Sequence, residues 1–228
     1  VDLVNGIDAT DTTATVNVVK NGDDLSKYLA QKNDSSLSLP EGVEAILLCG
    51  DDGRVSFKIT VPSSGLYNIN VGYFTGNVAV YDNVVDEDGK VVYENGLPKV
   101  NYDNAPSVGN YAAIERYVLI DGKVPYTEAR SVEFNRVWND LYTFVNDKGE
   151  TVQMYSDSQE FKDYVKAHYG DYENFRPFDK DYNGNELKPD KVLVNEWADT
   201  YVSDSTGYYN DPLCFFLSEG EHVISFQA

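Results

Sequence analysis

The chain has 228 residues, enough for one or two domains with a buried core, and 38 acidic against 18 basic residues give it a net charge of −20. That charge repels phosphate backbones and anionic membrane surfaces, so nucleic acid and lipid headgroups are excluded as first partners and a neutral ligand fits best. The sequence has no apolar run of about 18 residues that would span a bilayer, and its 18 Tyr, 10 Phe and 2 Trp suit strands, cores and wet recognition surfaces alike.

Taken in order, Thr13–Val19 (TATVNVV) alternates like a strand, and DDLSKYLAQ predicts a short helix capped by Asp23 or Asp24. A turn-rich connector, NDSSLSLPEG, leads into four strand signals: AILLC, RVSFKITV, LYNINVGYF and AIERYVLI. Within Arg54–Val61 the apolar side chains fall on alternate positions, the pattern of a half-buried strand. DEDGKVVYENGLP carries Asp-Gly and Asn-Gly and predicts a hairpin decorating the sheet. Ser156–Gly170 has a Ser/Asp start, Phe161, Tyr164, Val165 and His168 at helical spacing, and a Gly stop, so it predicts a helix. Strands resume at VLVNEWADTYV, LCFFL and HVISF.

About ten short strands with turn-rich connections and one helix predict an all-β fold, an antiparallel β-sandwich of jelly-roll type with one inserted short helix. Strand parity points Val55, Phe57, Ile59, Ile69, Val71, Leu119 and Phe215 inward. Residues 1–44 form an N-terminal strand and short-helix extension packing on the sandwich, which occupies 45–228 with its helical insertion near 156–170. Cys49 and Cys214 each lie in an apolar run and are expected as two buried free thiols, with a disulfide as the alternative. The start at Val1 rather than Met suggests a processed or trimmed product, and no signal peptide is expected in this stretch.

VPSSGLYNINVGYF, followed by AIERYVLIDGKVPYTEARSVEFNRVWND and then DYNGNELKPDKV and DSTGYYNDPLCFFLSEGEHVISF, resembles a galactose-binding-like β-jelly-roll domain. The resemblance runs from about Ala45 to Phe226. It is to carbohydrate-binding-module-like domains attached to extracellular solute-binding-type lipoproteins of Gram-positive bacteria. The acidic, Tyr-rich character is similar to that of amylosome starch-adherence proteins. These resemblances imply an extracellular or cell-surface location, a place in a larger multidomain protein, and binding of an oligo- or polysaccharide, an α-glucan such as starch above all. The first strand lacks the acidic EAE-type opening of many such domains, so their structural calcium site does not carry over.

Catalysis is not expected. The chain has no G-x-S-x-G, H-E-x-x-H or P-loop, and with 38 acidic residues a close carboxylate pair means nothing by itself. A Ser-His-Asp site would need His168 or His222, neither in the context of a nucleophile's base. No cofactor is required. The candidate cation is calcium, because Asp179, Asp181 and Asn183 alternate around a Gly bend, but a plain turn is the better reading of NGNE, and Pro189 stands where an exit helix would begin.

Sugar binding needs apolar plates for pyranose faces and planar polar groups for hydroxyls. Outside the core runs the plates are Trp138, Trp197, Tyr208, Tyr209, Tyr73 and Tyr201. Trp138 is bordered by Asn139 and Asp140, and Trp197 by Glu196 and Asp199. The candidate ligand-binding set is therefore Trp197, Trp138, Tyr208, Tyr209, Asp140, Glu196 and Asp199. The competing reading puts either Trp between the sheets, and alternation allows only one of Tyr208 and Tyr209 to face ligand. Glu115 and Arg116 are expected to pair, and Asp121-Gly122 to turn.

Overall fold

The computed structural model describes residues 8, 13, 15–29, 37–108, 112–171, 182–185 and 188–228. Its strands are β1 (Val16–Lys20), β2 (Ala45–Cys49), β3 (Arg54–Val61), β4 (Gly65–Tyr67), β5 (Asn70–Phe74), β6 (Ala79–Val80), β7 (Tyr93–Glu94), β8 (Leu97–Pro98) and β9 (Ser107–Val108). Then come β10 (Ile114–Ile120), β11 (Val132–Phe134), β12 (Trp138–Val145), β13 (Thr151–Tyr155), helix α1 (Gln159–Tyr169), β14 (Asp190–Leu193), β15 (Trp197–Tyr201), β16 (Phe215–Leu217) and β17 (Gly220–Gln227). The chain divides into two compact units, one of residues Val1–Arg136 with Asn195–Ala228, the other Val137–Val194.

The first unit is an antiparallel β-sandwich. One layer is the four-stranded sheet β11-β10-β17-β3, and the ribbons β15-β5 and β16-β4 supply strands of the other. Between them Val118, Val132, Phe134, Val202, Leu213 and Phe215 are buried, with Ile69, Val71, Tyr73 and Phe226 packed against them. Val55, Phe57 and Ile59 share the face that carries Ile224 and Phe226 across the β3–β17 register, as alternation predicts. Leu119 does not point inward. Val118 is its fully buried neighbour, in line with Ile114 and Ile120, while Leu119 sits opposite Ser225 on the second face. Three consecutive apolar residues, Val118 to Ile120, leave the parity of that strand ambiguous in sequence.

That second face is largely polar, and it is buried at Ser56 and Ser225, whose hydroxyls bond each other at 2.6 Å; the Asp8 amide donates to the Ser56 carbonyl at 2.9 Å, while Lys58, Thr60 and Glu115 on the same face are exposed. A second core gathers Val19, Tyr28, Ile46, Leu48 and Val80, with Phe74 and Trp197 against it. β1 and β2, on either side of position 44, pair in register from Val16↔Cys49 to Lys20↔Ala45. Asp24 caps a 3-10 turn over Leu25–Tyr28 by accepting from the Ser26 amide.

The flanking bonds Gly50 N–H to Thr15 and Asn21 N–H to Glu44 set the alternation on β2. They place the peptide groups of Ala45, Leu47 and Cys49 on the edge away from β1, where they have no backbone partner among the described residues.

The turns follow their residues. Asn95 (φ 52°) and Gly96 (φ 78°) close the β7–β8 hairpin, and Asp121 (φ 51°) and Gly122 (φ 74°) turn after β10. LYNINVGYF is two strands, broken at Asn68-Ile69, and VLVNEWADTYV likewise splits into β14 and β15 across the boundary between units. Cys49 and Cys214 are both unpaired thiols; Cys49 is half-buried, but Cys214 is exposed, because alternation at β16 turns Phe215 in and its neighbours out.

In the second unit β12 lies between β13 and β14, and α1 covers one face. Ser158 caps α1 by accepting from the Phe161 amide at 3.1 Å, and Gly170 ends it at φ 77°. Phe161 stacks on Tyr142 with ring centres 4.7 Å apart, and Val165 and Phe144 complete a small buried core.

Candidate functional site

The expected site residues fall into three groups. In the first unit β15 carries Trp197, Asp199 and Tyr201 at alternate positions, so all three side chains stand on one face. Across the register Trp197 lies opposite Phe74, Asp199 opposite Gly72 and Tyr201 opposite Asn70. Gly72 is what makes room: a Cβ there would lie 3.1 Å from Asp199 Oδ1. The Trp197 indole N–H donates to the Ser38 carbonyl at 2.7 Å and its ring leans on Phe74 at 5.6 Å. One edge of that plate is thus fixed by structure, while Tyr201 is 52% exposed. Glu196 is anchored through its backbone, its carbonyl accepting from the Thr75 amide at 2.8 Å, and its side chain is exposed.

Tyr208 and Tyr209 form a second group, on the loop before β16. Both rings are exposed, at 81% and 52%, and meet edge to face at 5.1 Å. The expectation that only one is free fails because strand alternation does not apply in a loop. Asp204 organises this loop: Oδ2 accepts from the amides of Tyr208 at 2.9 Å and Tyr209 at 3.1 Å, and the Thr206 hydroxyl bonds both carboxylate oxygens. The Thr206 hydroxyl and these amides outweigh burial and hold the Asp204 carboxyl below its usual range. The spacing of Asp204 ahead of Thr206-Gly207 is an Asx-turn signal that could have identified it.

Trp138 and Asp140 belong to the second unit. Trp138 is 42% exposed, which rules out the packed-between-sheets reading. Asp140 is ion-paired with Lys191, its neighbour across β12–β14, so its charge is already met. Asn139, on the opposite face, bonds Ser156 and Asp157. Of the calcium candidates, Asp179 and Asp181 lie outside the described residues; Asn183 is in an exposed turn. Among the described residues no three metal-ligating side chains cluster.

Glu115 and Arg116 do not pair. The Glu115 carboxylate accepts from the Ser131 hydroxyl, while Arg116 uses the Glu115 backbone carbonyl at 2.7 Å. Successive strand residues point to opposite faces, which keeps the two charges apart.

His222 stands in an array that sequence reading did not see. Nδ1 donates to Asp121 Oδ2 at 2.7 Å, while Nε2 lies 2.9 Å from the Ser218 carbonyl and 3.2 Å from its hydroxyl. These are the residue types of a hydrolytic triad, but a carbonyl oxygen only accepts, so Nε2 carries a proton and has no lone pair for the Ser218 hydroxyl. The hydrogen bond to Asp121, then the Ser218 carbonyl, raise the ring's pKa above its ordinary value and favour the imidazolium. The array clamps the Ser218–His222 turn to the Asp121-Gly122 turn, with the Val223 amide donating to Asp121 Oδ1 at 2.9 Å.

Sequence reasoning also missed a cavity of about 530 Å3 inside the first unit. Trp197, Asp199 and Tyr73 border it, with neither Glu196 nor the Tyr208–Tyr209 pair. Tyr73 is committed there, its hydroxyl donating to the Asn135 carbonyl at 2.9 Å and its ring against Phe134 at 5.3 Å. Cys49 also lines it, with its thiol pushed up by burial against the opposing pull of Arg116. No protein-family model, curated protein or solved structure matches the chain.

Proposed function

We propose that this chain is a non-catalytic carbohydrate-binding β-sandwich working outside the cell or on a bacterial cell surface, with an α-glucan as the favoured ligand. The observation that carries the reading is the β15 face: Trp197, Asp199 and Tyr201 in one line, opposite a glycine that leaves the central carboxylate uncovered. Alternate residues on a strand lie about 6.6 Å apart, so a carboxylate that accepts hydroxyl hydrogen bonds is flanked by a ring on either side. Stacking supplies contact without charge, which suits a neutral ligand for a chain of net charge −20. The exposed Tyr208–Tyr209 pair offers a further stacking surface on the same unit. Titration calorimetry against soluble starch, maltoheptaose, xylan and β-glucan tests this, with maltoheptaose expected to bind and to release no reducing sugar. Absence of binding to every glycan, or hydrolysis lost on mutating one carboxylate, would sink it.

A second reading, an interaction domain that packs on a neighbouring domain, is favoured by Leu66 and Phe216. They face each other across β4–β16 at 70% and 68% exposure. Under that reading the Leu66→Ser/Phe216→Ser variant loses a partner domain while glycan binding stays intact.

A further inference from the structure

The cavity of the first unit is lined by inner-face side chains of the four-stranded sheet, Val55, Phe57, Ile114, Phe134 and Phe226, and by two guanidiniums, Arg116 and Arg136. Both arginines are half-buried. Arg116 donates to the carbonyls of Glu115 at 2.7 Å and Gly50 at 3.2 Å; Arg136 donates to those of Ala112 at 2.6 Å, Gly76 at 3.0 Å and Thr75 at 3.2 Å. Neither forms an ion pair with a carboxylate among the described residues, in a chain with 38 acidic side chains. Burial, and more weakly the charge of Arg116, push the Arg136 guanidinium below its ordinary pKa, while Asp51 pulls the other way. Two like charges in a largely apolar wall, hydrogen-bonded to carbonyls and, at Arg116, to the Cys49 thiol, with Asp51 acting on Arg136 but no carboxylate in ion-pair contact among the described residues, suit an anion.

Three further residues bear on the same space. Asn77 lines it at 7% exposure, and its buried Oδ1 has no hydrogen-bond partner; as an acceptor it takes no part in holding a carboxylate. Asp51 and Asp199 also border it, but both are exposed to water, which screens their attraction for the arginines and their repulsion of an incoming anion.

We propose that this cavity binds an amphipathic monocarboxylate, its head held by Arg116 and Arg136 and its hydrocarbon body laid along Val55, Phe57, Ile114, Phe134 and Phe226. The volume of about 530 Å3 falls within the usual range of small-molecule sites. A carboxylate satisfies guanidinium donors in paired, planar geometry, and the apolar wall takes the chain. The other occupant the geometry admits is an extended peptide on the open edge of β2, whose Ala45, Leu47 and Cys49 also line the cavity. That edge asks for no charge, whereas the arginines do, so the anion accounts for more of the lining.

The probe is dodecanoate below its micelle concentration, titrated calorimetrically into the full chain. Methyl dodecanoate and an acetylated, amidated hexapeptide of alternating valine and serine are the comparisons. Dodecanoate is expected to bind one per chain, and its methyl ester at least about tenfold more weakly, since the ester removes a charge-assisted contact. Arg116→Met should weaken dodecanoate by a similar factor, and Ala198→Phe, which adds bulk to the cavity wall while keeping both arginines in the sequence, should abolish binding. Equal binding of acid and ester, no binding of dodecanoate, unchanged binding in Ala198→Phe, or preference for the peptide would each overturn the proposal. The acid-against-ester comparison uses the unaltered chain, so it decides even if a variant fails to fold. Glycan binding by Ala198→Phe reports separately on the β15 face, and its loss or survival leaves the dodecanoate result standing.

Discussion

Replacing Tyr201 by Ala separates recognition from folding on the β15 face. The ring is 52% exposed, and it is the backbone carbonyl of Tyr201 that accepts from the Thr200 and Ser203 hydroxyls. Truncation therefore leaves the local hydrogen bonds in place, and the stability change should stay within about 0.5 kcal/mol, as for ordinary surface positions. As the most accessible plate on that face, the ring should carry binding: truncating an aromatic anchor costs about 2 kcal/mol, roughly thirtyfold in affinity. Trp197→Ala behaves differently. Losing a fully buried Trp costs about 3–5 kcal/mol, which for a half-buried ring scales to about 2 kcal/mol, and the lost bond to Ser38 adds about 1 kcal/mol. Trp197→Ala should thus lower both affinity and stability, where Tyr201→Ala lowers affinity alone. Maltoheptaose titration paired with urea unfolding of both variants and of Glu115→Ala measures the split. If Tyr201→Ala binds within twofold of the parent while its unfolding is unchanged, the β15 face is not the glycan site.

Ser158→Ala removes the cap of α1 and should cost about 1 kcal/mol, read by urea unfolding of the helical signal. The His222–Asp121 clamp gives a pH dependence whose sign follows from both partners. The His222 pKa is raised by Asp121, so its contribution is full below the ordinary histidine value of 6.5 and fades as pH rises through the higher folded value. Burial opposes but the Val223 amide and His222 lower the Asp121 pKa, so its contribution holds above the usual 3.8 and is lost as pH falls through the lower folded value. Melting temperature should therefore hold between about pH 4 and pH 6.5 and lose the clamp's share on the alkaline side, a slope that Asp121→Asn removes. With a disulfide-exchange dye, exposed Cys214 should react first and Cys49, half-buried with its thiol pKa raised, should lag; equal rates would contradict the packing at β2.

The β-sandwich and its elements were legible where alternation ran unbroken, as in Arg54–Val61, or where a turn pair such as Asn95-Gly96 declared itself. The helix was readable from Ser158 to Gly170 because cap, period and stop agree. Leu119 was misread because three apolar residues in succession carry no parity. The run across Val194–Glu196 looked like one strand because residue pattern holds no trace of a boundary made by long-range contacts. On the candidate site, Trp197 and Asp199 could be paired from sequence because they lie two apart on one strand. The cavity could not: Arg116, Arg136 and Asn77 meet only through the fold, and the Ser218–His222–Asp121 array needs two turns brought together from positions about a hundred residues apart.

The open edge of β2 has one more consequence. Its sequence, Ala45-Ile46-Leu47-Leu48-Cys49, holds neither charge nor proline, the composition of a segment that pairs with copies of itself when chains meet before folding is complete. Glu41 and Glu44 stand before it and Asp51 and Asp52 after it, so every growing stack of such segments would have to crowd carboxylates at both ends. The acidity around this segment thus guards an adhesive stretch during synthesis and refolding. Neutralising those four positions should leave the folded chain's melting temperature nearly unchanged while its refolding yield falls as protein concentration rises.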